Sequence, residues 1–137
     1  MVLGGETMTD SEVRESLARR ERYDGIVLDR DVNLRIEPSD WAGIYGNHSC
    51  DPNLWITGLV EISTRRDLAE DEEAVADYST YTMSPDWSMV CYCGSPVCRG
   101  VVSGDDWRVP ELQGRYAGHF APVIARRIEL PELHERS

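Results

Sequence analysis

Four cysteines fall in two groups. One lies in Asn47-His48-Ser49-Cys50-Asp51-Pro52-Asn53, and three lie in Cys91-Tyr92-Cys93-Gly94-Ser95-Pro96-Val97-Cys98-Arg99-Gly100. Thiolates are soft ligands, and zinc asks for four of them in a tetrahedron. The spacing Cys-x-Cys-x4-Cys supplies three on one tight loop, which Gly94 and Pro96 allow to turn back on itself. The fourth ligand then comes from far away in the chain, and Cys50 is the thiol that remains. The alternatives are four free thiols, or a disulfide in which Cys50 takes Cys91 or Cys93, since a pair one residue apart closes only a strained ring. His48 is a competing ligand, but as a close neighbour of Cys50 it is expected to point elsewhere. Four thiolates close the site, so its expected role is structural, and in a small domain such a site supplies much of the folding free energy. The polar pair Asn47-His48 would sit beside this joint, where a ligand can be held.

Elements must bring these two runs together. Thr9-Asp10-Ser11-Glu12 has the form of a capping box, and Val13, Leu17 and Ala18 at helical spacing predict a helix to about Arg22. Ile26-Val27-Leu28 reads as a strand. Val32, Leu34 and Ile36 alternate with polar residues as a second, half-buried strand, with Asp29-Arg30-Asp31 as the turn. From Glu37 to Asn53 the composition is that of a loop, anchored by Trp41, Ile44 and Tyr45. Leu54 to Thr64 is apolar and β-branched, broken at Gly58 by a bulge or turn. Ala74-Val75-Ala76-Asp77-Tyr78 reads as a short strand, and Ser84-Pro85-Asp86 as a turn before the cysteine loop. Beyond Pro110, Leu112, Tyr116 and Phe120 form an apolar stripe that Gly118 and Pro122 split into two short helices. Phe120 is expected in the core, with Trp55, Trp87 and Tyr92 as core or loop anchors. The tail from Pro131 to Ser137 is expected to fray.

Composition narrows the classes. A length of 137 residues fits one domain, and 41% hydrophobic residues allow a modest core. A net charge of -11 argues against nucleic acid as partner and suits a basic peptide. No apolar run approaches the ~20 residues of a membrane span, and Met1 to Glu6 lacks the basic and apolar regions of a secretory signal. The expected location is the cytoplasm, with no membrane partner.

Asn47-His48-Ser49-Cys50-x-Pro52-Asn53, then Asp71-Glu72-Glu73-Ala74-Val75-Ala76-Asp77-Tyr78, then Cys91-x-Cys93-Gly94-x3-Cys98-Arg99-Gly100 stand in one order. Together they resemble the C-terminal part of SET-domain protein lysine methyltransferases with the post-SET zinc loop. The match covers roughly residues 47 to 100, and the helical C-terminal extension looks like that of some small bacterial members. The resemblance implies a mainly β fold of the β-clip, SET-like kind. In it, the segment around residue 47 and the strand near residue 78 make a pseudoknot-like crossing, with a few short helices beside them. It implies three parts: a partial SET domain over 1–83, a post-SET zinc loop over 84–108 and a helical extension over 109–137.

The same resemblance implies S-adenosylmethionine and one structural zinc as cofactors, with methyl transfer to a protein lysine as the activity. It places cofactor contacts on Asn47 and His48, the methyl-transfer centre at Tyr78, and zinc on Cys50, Cys91, Cys93 and Cys98. All 14 basic residues are arginine. Codon bias explains that plainly, and an enzyme acting on lysine would also gain by lacking lysines of its own.

Taken singly, Asn47 and Asn53 read as turn residues, His48 as a satisfied buried histidine and Tyr78 as a strand aromatic on the core. Three departures from the family pattern stand out. The match begins downstream of the family's Gly-rich N-terminal segment, with Leu3 where a tyrosine is usual in the Tyr-x-Gly-Glu element. Ile44-Tyr45-Gly46 stands where the family has Arg-Phe-Ile or similar. Ala76 stands where a Phe or Tyr helps set how many methyl groups are added. A degenerate, zinc-stabilised SET-like interaction module is the alternative these departures leave open.

Overall fold

The computed structural model describes residues 5–21, 25–36, 47–58 and 61–131. The expected anchors Trp41, Ile44 and Tyr45, together with Leu3, the pair Leu59-Val60 and the tail beyond residue 131, lie outside the described residues. The architecture is mainly β, in small sheets, with three short helices among the described residues.

The first sheet carries β1 (Gly5–Met8), β2 (Gly25–Asp29) and β3 (Val32–Ile36) in the order β1-β3-β2, with both pairings antiparallel. The tight turn between β2 and β3 places Asp31 at φ 57°, a conformation that Asp tolerates better than most residues. Between β1 and β2 runs α1 (Asp10–Ala18). Its capping box is real: the Glu12 N–H donates to Thr9 Oγ1, and Thr9 N–H donates back to Glu12 Oε2, each at 3.1 Å. The helix is shorter than its periodicity suggested. It ends at Ala18, with Arg20 in the left-handed region at φ 59°. The predicted apolar stripe is not its buried face either, since Leu17 is 53% exposed and Ser16 is fully buried. The Ser16 hydroxyl donates to Glu21 and accepts from Arg35 of β3, both at 2.8 Å, so a polar contact docks the helix.

The second sheet holds β4 (Asn47–His48), β5 (Leu54–Ile56), β6 (Ile62–Thr64) and β7 (Val75–Ala76) in the order β4-β7-β5-β6. β5 and β6 form an antiparallel hairpin with Leu54 opposite Thr64, so Gly58 lies in a turn and not in a bulge. β7 lies between β4 and β5 and runs parallel to both. A third ladder pairs β8 (Ser88–Val90) with β9 (Val101–Ser103) around the cysteine loop. Ser84-Pro85-Asp86 turns ahead of it, with Trp87 N–H donating to Ser84 O at 3.2 Å.

The C-terminal stripe forms α2 (Pro110–Arg115) and α3 (Pro122–Glu129), separated as expected around Gly118 at φ 82°. Leu112, Tyr116 and Phe120 are all buried. With Trp107, Ala121, Val123, Ile124 and Ile56 of β5 they make the largest core cluster. The helical extension therefore packs on Ile56 of the second sheet and on β2 of the first. Tyr92 departs from its expected anchoring role: it stands 90% exposed.

Candidate functional site

The register β4·β7 sets the site. Asn47 pairs with Val75 and His48 with Ala76, which brings the Asn-His run beside the segment leading to Tyr78. Asn53 holds this pairing from the far side. It is 1% exposed, its Nδ2 donates to Glu73 O and its Oδ1 accepts from Val75 N–H, both at 2.8 Å. Its side-chain amide thus stands in for a strand's backbone groups, a tighter role than a turn residue. The strand reading of 74–78 needs one correction. β7 stops at Ala76, because the Asp77 carboxylate accepts from Ser79 N–H at 3.0 Å and caps a 3-10 turn over Tyr78–Thr80. Tyr78 therefore opens a turn and does not sit in a strand.

The four sulfurs of Cys50, Cys91, Cys93 and Cys98 lie within 4.8 Å of one another. Cys50 and Cys91 are 3.9 Å apart. A zinc bonded to four sulfurs at ~2.3 Å needs edges of about 3.8 Å, so the spacing fits. All four are free thiols, and the disulfide alternative is not the one the structure takes. Burial pushes the Cys50 thiol up to about 12, opposed by the Arg99 backbone N–H and guanidinium charge. Burial also acts against ionised Cys93, yet the Ser95 hydroxyl and the backbone at Cys50 and Ser95 hold its thiol down to about 5. A cation held among the four sulfurs would favour the thiolate form at each of them.

His48 does not point away from Cys50. Its Nδ1 accepts from Tyr78 N–H at 3.1 Å, and its Nε2 lies 3.3 Å from Cys50 Sγ. Burial lowers its pKa below the ordinary imidazole value, with Asp77 opposing and Arg99 adding to the effect. Its ring meets the Tyr78 ring edge-on at 5.1 Å, and Tyr78 also lies beside Tyr81 and Trp87 at 5.7 and 6.0 Å. Asn47 is exposed and donates to Glu73 Oε1 at 2.6 Å.

A charged network that the motifs did not reveal lies beneath. Arg99 donates to both oxygens of Asp77, at 2.8 and 2.9 Å, and to Asp106 at 3.0 Å. Tyr116 of the C-terminal body adds a hydroxyl to Asp77 Oδ2 at 2.8 Å. Burial disfavours ionised Asp77, but Arg99, Ser79 N–H and Tyr116 outweigh it and hold the carboxyl below its usual range. Arg99 directly follows the last cysteine, and Asp77 directly precedes Tyr78. That adjacency was the available signal, although nothing in it says that the two side chains meet.

These walls enclose an open cleft of about 700 Å³. Asn47, Glu73 and Tyr78 line it from one side, and Met89, Tyr92 and Ser95 from the cysteine-loop side. The volume falls within the range of small-molecule sites.

No family model matches the chain. Curated proteins do. Histone-lysine N-methyltransferase ATX2 of Arabidopsis thaliana is 36% identical over 96 residues, covering 65% of this chain and 8% of the plant protein. Histone-lysine N-methyltransferase ash1 of Drosophila melanogaster is 31% identical over 119 residues, covering 79% of this chain and 5% of the fly protein. The chain is a homologue of the SET-domain histone-lysine N-methyltransferases. A third relative, the H3 lysine-36 specific enzyme of Cryptococcus neoformans, is 36% identical over 86 residues, covering 58% of this chain and 10% of that protein. The chain thus spans a tenth or less of the length of these three relatives. Its mainly β architecture agrees with a SET-like fold, and its cysteine cluster fits a post-SET zinc site.

Proposed function

We propose that the chain transfers a methyl group from S-adenosylmethionine to a protein lysine, with one structural zinc on Cys50, Cys91, Cys93 and Cys98. The observation that carries the reading is the parallel β4·β7 pairing. It sets Asn47 and His48 against the segment of Tyr78 on the wall of a cleft that the cysteine loop completes. The homology to histone-lysine methyltransferases supports the same activity. Residues 1–83 then form the SET part, 84–108 the zinc loop and 109–137 the extension.

Asn47 and the backbone at His48 would hold the polar parts of the cofactor by hydrogen bonds. When bound, its sulfonium supplies the methyl group. The chain's part is to place a neutral lysine amine in line, and positioning of this kind supplies a large share of the acceleration. A lysine entering a desolvated channel beside a cation has its pKa lowered, which yields the neutral amine. Tyr78, flanked by His48, Tyr81 and Trp87, would orient that amine through its hydroxyl. The excess of acidic residues behind the net charge of -11 suits a basic peptide as substrate.

Calorimetry with S-adenosylmethionine and transfer of labelled methyl to a lysine-containing histone peptide test the reading. Tyr78→Phe should reduce turnover at least tenfold while cofactor affinity stays within about twofold, because the hydroxyl acts on the amine. Absence of both binding and transfer by the chain would overturn the reading. A second reading, a non-catalytic module that keeps the zinc fold, draws on Ala76, the half-buried residue of β7 that precedes Asp77 where the family carries a larger aromatic. Transfer abolished by Tyr78→Phe would remove it.

A further inference from the structure

The two nitrogens of one buried ring face the two halves of the site. His48 Nδ1 lies 3.1 Å from the Tyr78 amide nitrogen, and Nε2 lies 3.3 Å from Cys50 Sγ. A backbone N–H can only donate, so Nδ1 carries a lone pair and the ring proton of the neutral imidazole sits on Nε2. That proton is aimed at the Cys50 sulfur. The opposite arrangement, a Cys50 S–H donating to Nε2, would leave both ring nitrogens without a proton. Asp77 Oδ1, at 3.7 Å from Nδ1, is beyond hydrogen-bonding range. The ring side chain is 1% exposed, so bulk water does not compete at either end.

We infer that His48 is a positioning residue that couples the cysteine cluster to Tyr78. Its Nε2–H donates to the Cys50 sulfur, and the tautomer this imposes leaves Nδ1 to accept from the Tyr78 amide. This rests on the zinc and methyl-transfer reading above and adds a role which that reading does not contain. The Arg99 backbone N–H donates to the same sulfur at 3.4 Å, so the ring N–H is the second of two donors outside the metal's own shell, and groups of that kind orient a sulfur ligand and tune metal affinity. At the other end, the Tyr78 amide opens the 3-10 turn that Asp77 caps at Ser79. Fixing that amide fixes where the turn begins, and the two rings meet edge-on at 5.1 Å. Loss of metal from the cysteines would then be felt at Tyr78 through this side chain, beside the route that runs from Arg99 to Asp77.

Two substitutions separate the ends of the ring. The amide oxygen of Asn occupies roughly the place of Nδ1, and the amide nitrogen of Gln roughly that of Nε2. In the zinc-loaded full chain, His48→Asn should weaken competition for zinc against a chromogenic chelator by about tenfold to a hundredfold, while hydrogen exchange of the Tyr78 amide stays slow. His48→Gln should do the reverse, keeping zinc and exposing that amide. Equal behaviour of the two variants, or wild-type zinc retention in His48→Asn, overturns the proposal. Should either variant fail to fold, a long-range proton–nitrogen spectrum of the wild-type imidazole decides it. A proton on Nε2 alone supports the coupling, and a proton on Nδ1 overturns it. Native mass spectrometry of the same sample separates this from the parent reading. A chain that holds no zinc refutes the metal assignment, whereas a zinc-loaded chain with Nδ1 protonated refutes only the role of His48.

Discussion

Asp77 carries more of the site than its neighbour in the motif does. It is 1% exposed, and Arg99 grips it with two hydrogen bonds while Tyr116 supplies a third. A buried ion pair adds little when both partners are replaced together, but removing one partner leaves an uncompensated charge that costs about 3–5 kcal/mol. Arg99→Leu should therefore destabilise the chain by roughly 3 kcal/mol, and Arg99→Lys should restore only part of that, because an ammonium cannot grip both carboxylate oxygens as the guanidinium fork does. Urea unfolding of the two variants measures the difference. The pH dependence has a definite sign. The folded carboxyl of Asp77 sits below its ordinary range despite burial, through Arg99, Ser79 N–H and Tyr116. Its contribution is complete above the unfolded value of about 3.9 and is lost as pH falls through the depressed folded value. The stability gap between the wild type and Asp77→Asn should stay constant from pH 8 to 5 and close only in the acid limb below about pH 4. A gap that instead closed well above pH 5 would refute the assignment of the effect to Asp77.

At the scale of the element, two contacts decide how the cysteine loop is carried. Gly104, just past β9, donates its N–H to Trp87 O at 2.9 Å, and a Cβ built on it would fall inside the Ser84 backbone carbonyl. Backbone cannot yield as a flexible side chain can, so Gly104→Ala should cost at least about 2 kcal/mol and displace the β8–β9 hairpin in an amide-shift map. Leu112 on α2, 2% exposed in the main core cluster, tests the other support. Leu112→Ala should cost about 2–5 kcal/mol in denaturant unfolding. The elements themselves were legible wherever the pattern was local. Thr9 and Glu12 marked the start of α1, and Gly118 and Pro122 marked the break between α2 and α3. What failed was decided by partners distant in sequence. Ser16 is buried because Arg35 lies 19 residues ahead to bind it, and β7 ends early because the Asp77 side chain caps the following turn. No periodicity within a single segment carries that information.

For the whole molecule, the question is what joins the parts, and the four thiols give the answer that composition alone reached. Cys50 follows β4, and the other three belong to the loop between β8 and β9, 41 or more residues later. Their convergence within 4.8 Å was legible because the chain has four cysteines and a tetrahedral zinc wants four. The Asp77–Arg99 grip on the same joint was not, since carboxylates and guanidinium groups are too common for their pairing to be read from spacing. With zinc bound as proposed, the joint would have two fasteners, metal at the sulfurs and ion pair beneath. A structural zinc contributes about 10–16 kcal/mol of apparent binding free energy in small domains, far beyond the roughly 3 kcal/mol expected of the ion pair. Metal should therefore dominate. Native mass spectrometry should show one zinc, and a strong chelator should abolish cooperative unfolding. Cys50→Ser should destabilise about as much as Cys93→Ser, because either loss opens the tetrahedron although the two residues lie in different parts of the chain. A silent Cys50→Ser would mean that the cysteine loop binds its metal alone. The link from β4 to the loop would then rest on Asp77 and Arg99, and Arg99→Leu in the Cys50→Ser background would be the change that unfolds it.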